Sequence, residues 1–156
     1  MKALINYFTW KGRTKKIAEA IAGSLTNYEV SFYPIEFSGG LRKLVKLSQG
    51  EFSRVEKDLQ VLDAKDFDLI LIGMPTYGSK PPMVFEEIIN RMSNLSESEV
   101  VIFTTAFASG EATIQVMKSF LDTKGIKVKD EQFFNGFRFN VKPAIEFGKK
   151  LNNLKE

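Results

Sequence analysis

Two stretches, Leu69-Ile70-Leu71-Ile72 and Val100-Val101-Ile102-Phe103, are unbroken apolar runs. A strand with one face in water alternates apolar and polar residues, and a strand buried on both faces does not. These runs therefore predict central strands of a parallel sheet covered by helices on each side. Strands are expected at 2–8, 29–35, 69–73, 100–105 and, more weakly, 126–134. Between them apolar residues recur at helical spacing. Ile17, Ile21 and Leu25 form one stripe, and Phe85, Ile88, Ile89 and Met92 a second. Ile114, Met117, Phe120 and Leu121 form a third, and Ala144, Phe147, Leu151 and Leu154 a fourth. Residues in such stripes face a core. Lys124-Gly125 suits a helix end, and Pro143 suits a first helical turn.

Strands alternating with helices imply a doubly wound α/β fold with right-handed crossovers. A chain of 156 residues is long enough for one sizeable core and too short for two ordinary ones, so a single domain over 1–156 is expected. Residues 38–66 exceed a plain connection. Leu41, Leu44, Val45 and Leu47 predict a short helix there, and 50–58 reads as surface loop.

The absence of Cys and His removes thiol nucleophiles, disulfides, imidazole bases and most zinc or iron–sulfur sites. Any redox chemistry then depends on an organic cofactor. A net charge of +3 is too small to indicate nucleic acid as a partner. No apolar stretch approaches the ~18 residues of a membrane span, so no membrane association is expected. The first residues run into a strand without a signal-peptide pattern, and a cytoplasmic location is expected. Basic residues form two groups: Lys11, Arg13, Lys15 and Lys16, and Arg42, Lys43 and Lys46. The second group reads either as a solvated face or as a docking face for an acidic partner.

The loop Thr9-Trp10-Lys11-Gly12-Arg13-Thr14 joins the first strand to a helix beginning near Thr14. Unpaired backbone N–H groups converge at a helix N-terminus, and the helix dipole adds positive potential. Two threonine hydroxyls add donors, and Gly12 admits close approach of a ligand oxygen. The loop is expected to hold a phosphate. It lacks the Gly-Lys-Ser/Thr ending of a nucleotide P-loop. In open α/β sheets ligands bind beyond the carboxyl ends of the strands, where the strand order reverses. Two more loops end strands there. One contains Pro75, Thr76, Tyr77 and Gly78; the other is Ala106-Phe107-Ala108-Ser109-Gly110. All three line one crevice if the strand order is 2-1-3-4-5.

The run Tyr7-Phe8-Thr9-Trp10-Lys11-Gly12-Arg13-Thr14 resembles the phosphate loop of flavodoxins, whose usual pattern is Ser/Thr-x-Ser/Thr-Gly-x-Thr. Gly73-Met74-Pro75-Thr76-Tyr77-Gly78 resembles the loop that sets an aromatic beside the flavin. Flavodoxin is itself a standard example of the strand-order rule, with its FMN between the first and third strands. The resemblance, to the short-chain type, implies a flavodoxin-like five-stranded parallel sheet of order 2-1-3-4-5 with helices on both faces, and FMN as cofactor. It implies phosphate contacts from Thr9, Trp10, Gly12, Arg13 and Thr14. Lys11 departs from the pattern; it either pairs with the phosphate or is a solvated lysine whose N–H alone makes contact. Tyr77 either flanks the ring or packs beneath its loop. Gly78 either turns its peptide to accept from flavin N5–H, favouring the one-electron-reduced cofactor, or is a plain turn glycine. Flavodoxins commonly place a tyrosine in the third loop over the outer flavin face. Here Ile114 aligns with it, and Phe107 comes early.

The expected function is electron transfer between soluble redox proteins, with a monomer or weak homodimer as the working form. Two alternatives stay open: an FMN-dependent NAD(P)H oxidoreductase acting on quinones, and a flavin-free partner-binding module.

Overall fold

The structure is a computed structural model and describes residues 1–136 and 140–154. The expected domain span of 1–156 includes 137–139 and 155–156, which lie outside the described residues. Five parallel strands form the sheet: β1 Lys2–Thr9, β2 Glu29–Glu36, β3 Leu69–Pro75, β4 Glu99–Ala106 and β5 Val128–Asn135. Their order is β2-β1-β3-β4-β5, the predicted 2-1-3-4-5. Every residue of β3 is buried, as is all of β4 except its first residue, as their unbroken apolar runs require.

Among the described residues five helices cover the sheet: α1 Arg13–Ser24, α2 Leu41–Ser48, α3 Val84–Asn90, α4 Glu111–Thr123 and α5 Lys142–Leu151. Alternate residues of a strand point to opposite faces, and β1 divides accordingly. Ala3, Ile5 and Tyr7 meet Ile17 and Ile21 of α1 and Phe147 and Leu151 of α5. Leu4 and Phe8 look the other way, into a core completed by Leu44 and Leu47 of α2, Phe85 and Ile88 of α3, and Met117 and Leu121 of α4. Burying one such side chain contributes about 1.5–3 kcal/mol. α5 approaches α1 closely at Gly148, where a Cβ would stand 2.7 Å from the Ile21 carbonyl oxygen.

Some element bounds differ from expectation. α3 stops at Asn90, and Met92 enters a two-residue parallel ladder, Met92–Ser93 against Leu62–Asp63. α5 stops at Leu151, with Leu154 packed beyond its end. β5 begins at Val128, and Ile126 is a buried residue of the connection before it. The segment 50–58 is more than surface loop. Val55 is fully buried, and Glu56–Asp58 forms a 3-10 turn held by an ion pair from Arg91 to Glu56 at 2.8 Å. Tyr33 fastens the following chain, its hydroxyl accepting from the Gln60 N–H at 2.7 Å. These anchors join residues tens of positions apart, beyond the reach of local periodicity.

Candidate functional site

The first loop is built by its own residues. The Thr9 side-chain oxygen accepts from the Gly12 N–H at 3.0 Å. Gly12 takes a left-handed φ of 86°, which a side chain would strain. α1 then starts with no side-chain cap and no acidic residue in its first turn. The Thr14 and Thr105 hydroxyls, both buried, hydrogen-bond at 2.8 Å and fix the helix start to the end of β4.

Thr9, Trp10, Lys11, Arg13 and Thr14 border a cavity of about 180 Å³, while Gly12 shapes the turn without bordering it. The Trp10 indole N–H donates to the Gly39 carbonyl at 2.9 Å, tying this loop to the segment before α2. The Lys11 ammonium stands 4.7 Å from the centre of the Trp10 ring, within cation–π range.

In the second loop Pro75, Thr76 and Tyr77 border the same cavity. Gly78 borders an adjoining groove of about 950 Å³. The Tyr77 N–H donates to the Lys80 carbonyl at 2.9 Å across a tight turn. Both central residues are left-handed, Gly78 at φ 60° and Ser79 at 64°, the signature of a mirror-image type I turn. The Thr76 and Thr104 hydroxyls bond at 3.0 Å. Tyr77 is half-buried, and desolvation raises its phenol far above the ordinary value, so it stays protonated.

In the third loop Ala106 and Phe107 border the cavity, whereas Ala108, Ser109 and Gly110 border neither space. Phe107 is 69% exposed. The Arg13 guanidinium lies 5.1 Å from its ring centre and donates to the Gly136 carbonyl. The Gly136 N–H in turn donates to the Phe107 carbonyl at 3.2 Å. Ser109 accepts from the Glu111 N–H at 3.3 Å. Gly110 is a packing residue here: a Cβ would stand 2.5 Å from a Thr104 methyl and 2.7 Å from the Phe133 Cβ. Ile114 lies in the core under α4, so the exposed aromatic of this loop is Phe107.

The cavity and the groove meet at Trp10, Thr76, Tyr77 and Phe107. The sequence reading missed Thr105 and the groove wall of Leu41, Val45, Met83 and Val116. Leu41 and Val45 stood in the predicted short helix, but their spacing alone does not say that they face outward. Among the described residues no three His, Cys, Asp or Glu side chains gather as metal ligands, and no helix is long and apolar enough to cross a membrane. The site thus joins anion donors and cations to flat aromatic walls. It suits an oxyanion attached to a large apolar body.

No protein-family model and no curated protein matches this chain. Solved structures do. A candidate flavoprotein from Bacteroides uniformis superposes with a TM-score of 0.72 at 19% identity, over 94% of this chain and 96% of that one. A flavodoxin from the domain Archaea gives 0.64 at 18%, over 100% of both chains. A flavoprotein from Lactobacillus acidophilus, solved in complex with FMN, gives 0.58 at 23%, over 85% of this chain and 92% of its own. Strand order, helix placement and these superpositions agree: the chain has the flavodoxin-like fold.

Proposed function

We propose that the crevice binds FMN and that the protein carries electrons between soluble redox proteins. The observation that carries this reading is the meeting of two spaces at Trp10, Thr76, Tyr77 and Phe107, beside the uncapped start of α1. The cavity of about 180 Å³ is too small for a whole cofactor, since ligand sites run to roughly 300–1,000 Å³. It suits the phosphate and the chain that follows it, and the near end of the groove suits the rings. Backbone N–H groups of the first loop, its threonine hydroxyls and the Lys11 charge suit a phosphate dianion. Tyr77, neutral and half-buried, offers a stacking surface worth ~0.5–1.5 kcal/mol beyond area burial. Phe107, exposed at the junction of the two spaces and held by Arg13, suits the part of a covering aromatic. The L. acidophilus flavoprotein, which shares the fold, is described with FMN, and this supports the choice of ligand.

When bound, FMN supplies the electron storage; the chain orients it and sets its potential. Gly78 is exposed in its turn at a left-handed φ of 60°, and a glycine peptide turns over at little steric cost, which suits it to offering its carbonyl to the ring. Lys11 and Arg13 beside the cavity favour negative charge on a reduced ring, so the potential lies above that of flavodoxins with acidic surroundings. FMN titration of the apoprotein tests the reading. One equivalent bound with quenched flavin fluorescence is expected, together with NADH oxidation by a quinone no faster than free FMN supports. An empty titration refutes flavin binding, and rapid turnover identifies a reductase instead.

A further inference from the structure

Nine large hydrophobic side chains are exposed among the described residues, and five of them border one groove: Leu41, Val45, Met83, Phe107 and Val116. Scattered exposed hydrophobics are ordinary, but a cluster of them marks a contact surface. The five come from four separate places: α2, the segment before α3, the third loop and α4. The cluster is therefore a product of the fold and not of one amphipathic helix. Only Phe107 among them also borders the cavity suited to phosphate. The other four extend the apolar wall beyond it.

The rim is basic. Leu41 and Val45 lie one turn apart on α2. Arg42 and Lys46 each follow one of them, ~100° further round the helix, on the solvent side of that strip. Both are exposed, and neither forms an ion pair among the described residues. Lys80, also exposed and without an ion pair there, borders the groove from the second loop; Glu86 is the one acidic residue that lines it.

We propose that this groove docks an acidic electron-carrier protein, one presenting an apolar patch ringed by carboxylates. An apolar centre with a charged rim is the anatomy of a transient protein interface. Arg42, Lys46 and Lys80 steer a negative partner and repel a positive one. A two-fold contact between copies of this chain sets the same cations against each other, which disfavours self-association. That the partner carries electrons rests on the FMN reading; the docking itself does not.

The probe is an acidic plant-type two-iron ferredoxin, with a basic mitochondrial cytochrome c as control, titrated calorimetrically into apoprotein and FMN-loaded protein. Ferredoxin binding is expected to weaken about tenfold or more between about 20 mM and about 300 mM salt. Cytochrome c fails to bind the unsubstituted protein; for ferredoxin, the double variant Arg42→Glu/Lys46→Glu weakens binding at least about tenfold and Val45→Ser several-fold. Absence of ferredoxin binding at low salt, insensitivity to the double variant, tighter binding of cytochrome c, or a stable dimer abolished by Val45→Asp overturns the proposal. FMN titration of the double variant separates the two readings. Unchanged FMN affinity beside lost ferredoxin binding sustains docking. An empty FMN titration beside intact ferredoxin binding refutes only the cofactor.

Discussion

The first and third loops border the same cavity but are held in opposite ways. Loop 9–14 is fixed at Thr9 and Gly12 by contacts inside its own strand–helix junction, the Thr9–Gly12 bond and the left-handed turn at Gly12, with Trp10 tied outward to Gly39. Loop 106–110 is fixed from far along the chain, by Gly136 on the Phe107 carbonyl, Arg13 on its ring, and Thr104 and Phe133 against Gly110. A cavity with one end built locally and the other built by distant contacts can keep the geometry of the first while the second is loosened. The two ends should therefore respond to substitution independently, apart from Arg13 and the Thr14–Thr105 bond, which link them.

The largest effect is expected at Gly110. Gly110→Val drives side-chain atoms into Thr104 and Phe133 and should cost about 1–3 kcal/mol, read from a lower urea midpoint. Amide exchange should rise at 106–110 and stay unchanged at 9–14; equal loosening of both would break the comparison. Thr14→Val comes next. It leaves the Thr105 hydroxyl without its bond and should cost about 1–2 kcal/mol while weakening FMN binding, a pair of losses that urea and FMN titrations measure together. An unchanged FMN affinity would remove the hydroxyl from the anion site. Trp10→Phe keeps a flat ring but deletes the bond to Gly39, with an expected cost of about 0.5–1.5 kcal/mol and increased exchange just before α2.

The smallest effect is confined to alkaline solution. Burial holds the Tyr77 phenol protonated above its ordinary value of 10.0. An unfolded chain releases that proton first as pH rises past 10, so stability is intact below pH 10 and declines above it. Tyr7 and Tyr33 are shifted the same way by burial and share the decline. Tyr77→Phe should flatten part of that slope; an unaltered slope would place the Tyr77 ring in solvent.

The same local–distant contrast explains what could be read from the sequence. The unbroken runs in β3 and β4 and the stripes of α1 and α4 depend on neighbours a few residues apart, so strands, helices and their order were legible. The tight turn of the first loop was legible too, because the Thr9–Gly12 bond spans only three residues. Trp10 reaching Gly39, Arg13 reaching Gly136 and Phe107, and Val55 of the chain after α2 buried in the core were not legible, because no periodicity encodes them. Gly110 reads in sequence as part of a crevice-lining loop, whereas its neighbours give it a packing role. The groove wall escaped notice because an outward-facing Leu41 or Val45 looks in sequence like any core residue of an amphipathic helix.

The central claim is that loop 9–14 grips a phosphate. Calorimetry of the apoprotein with FMN and with riboflavin, which differ by that group alone, tests it most directly. Charge-assisted hydrogen bonds from the loop predict FMN binding about a hundredfold tighter or more, with the advantage reduced in Thr14→Val. Equal affinities for the two flavins would contradict the account.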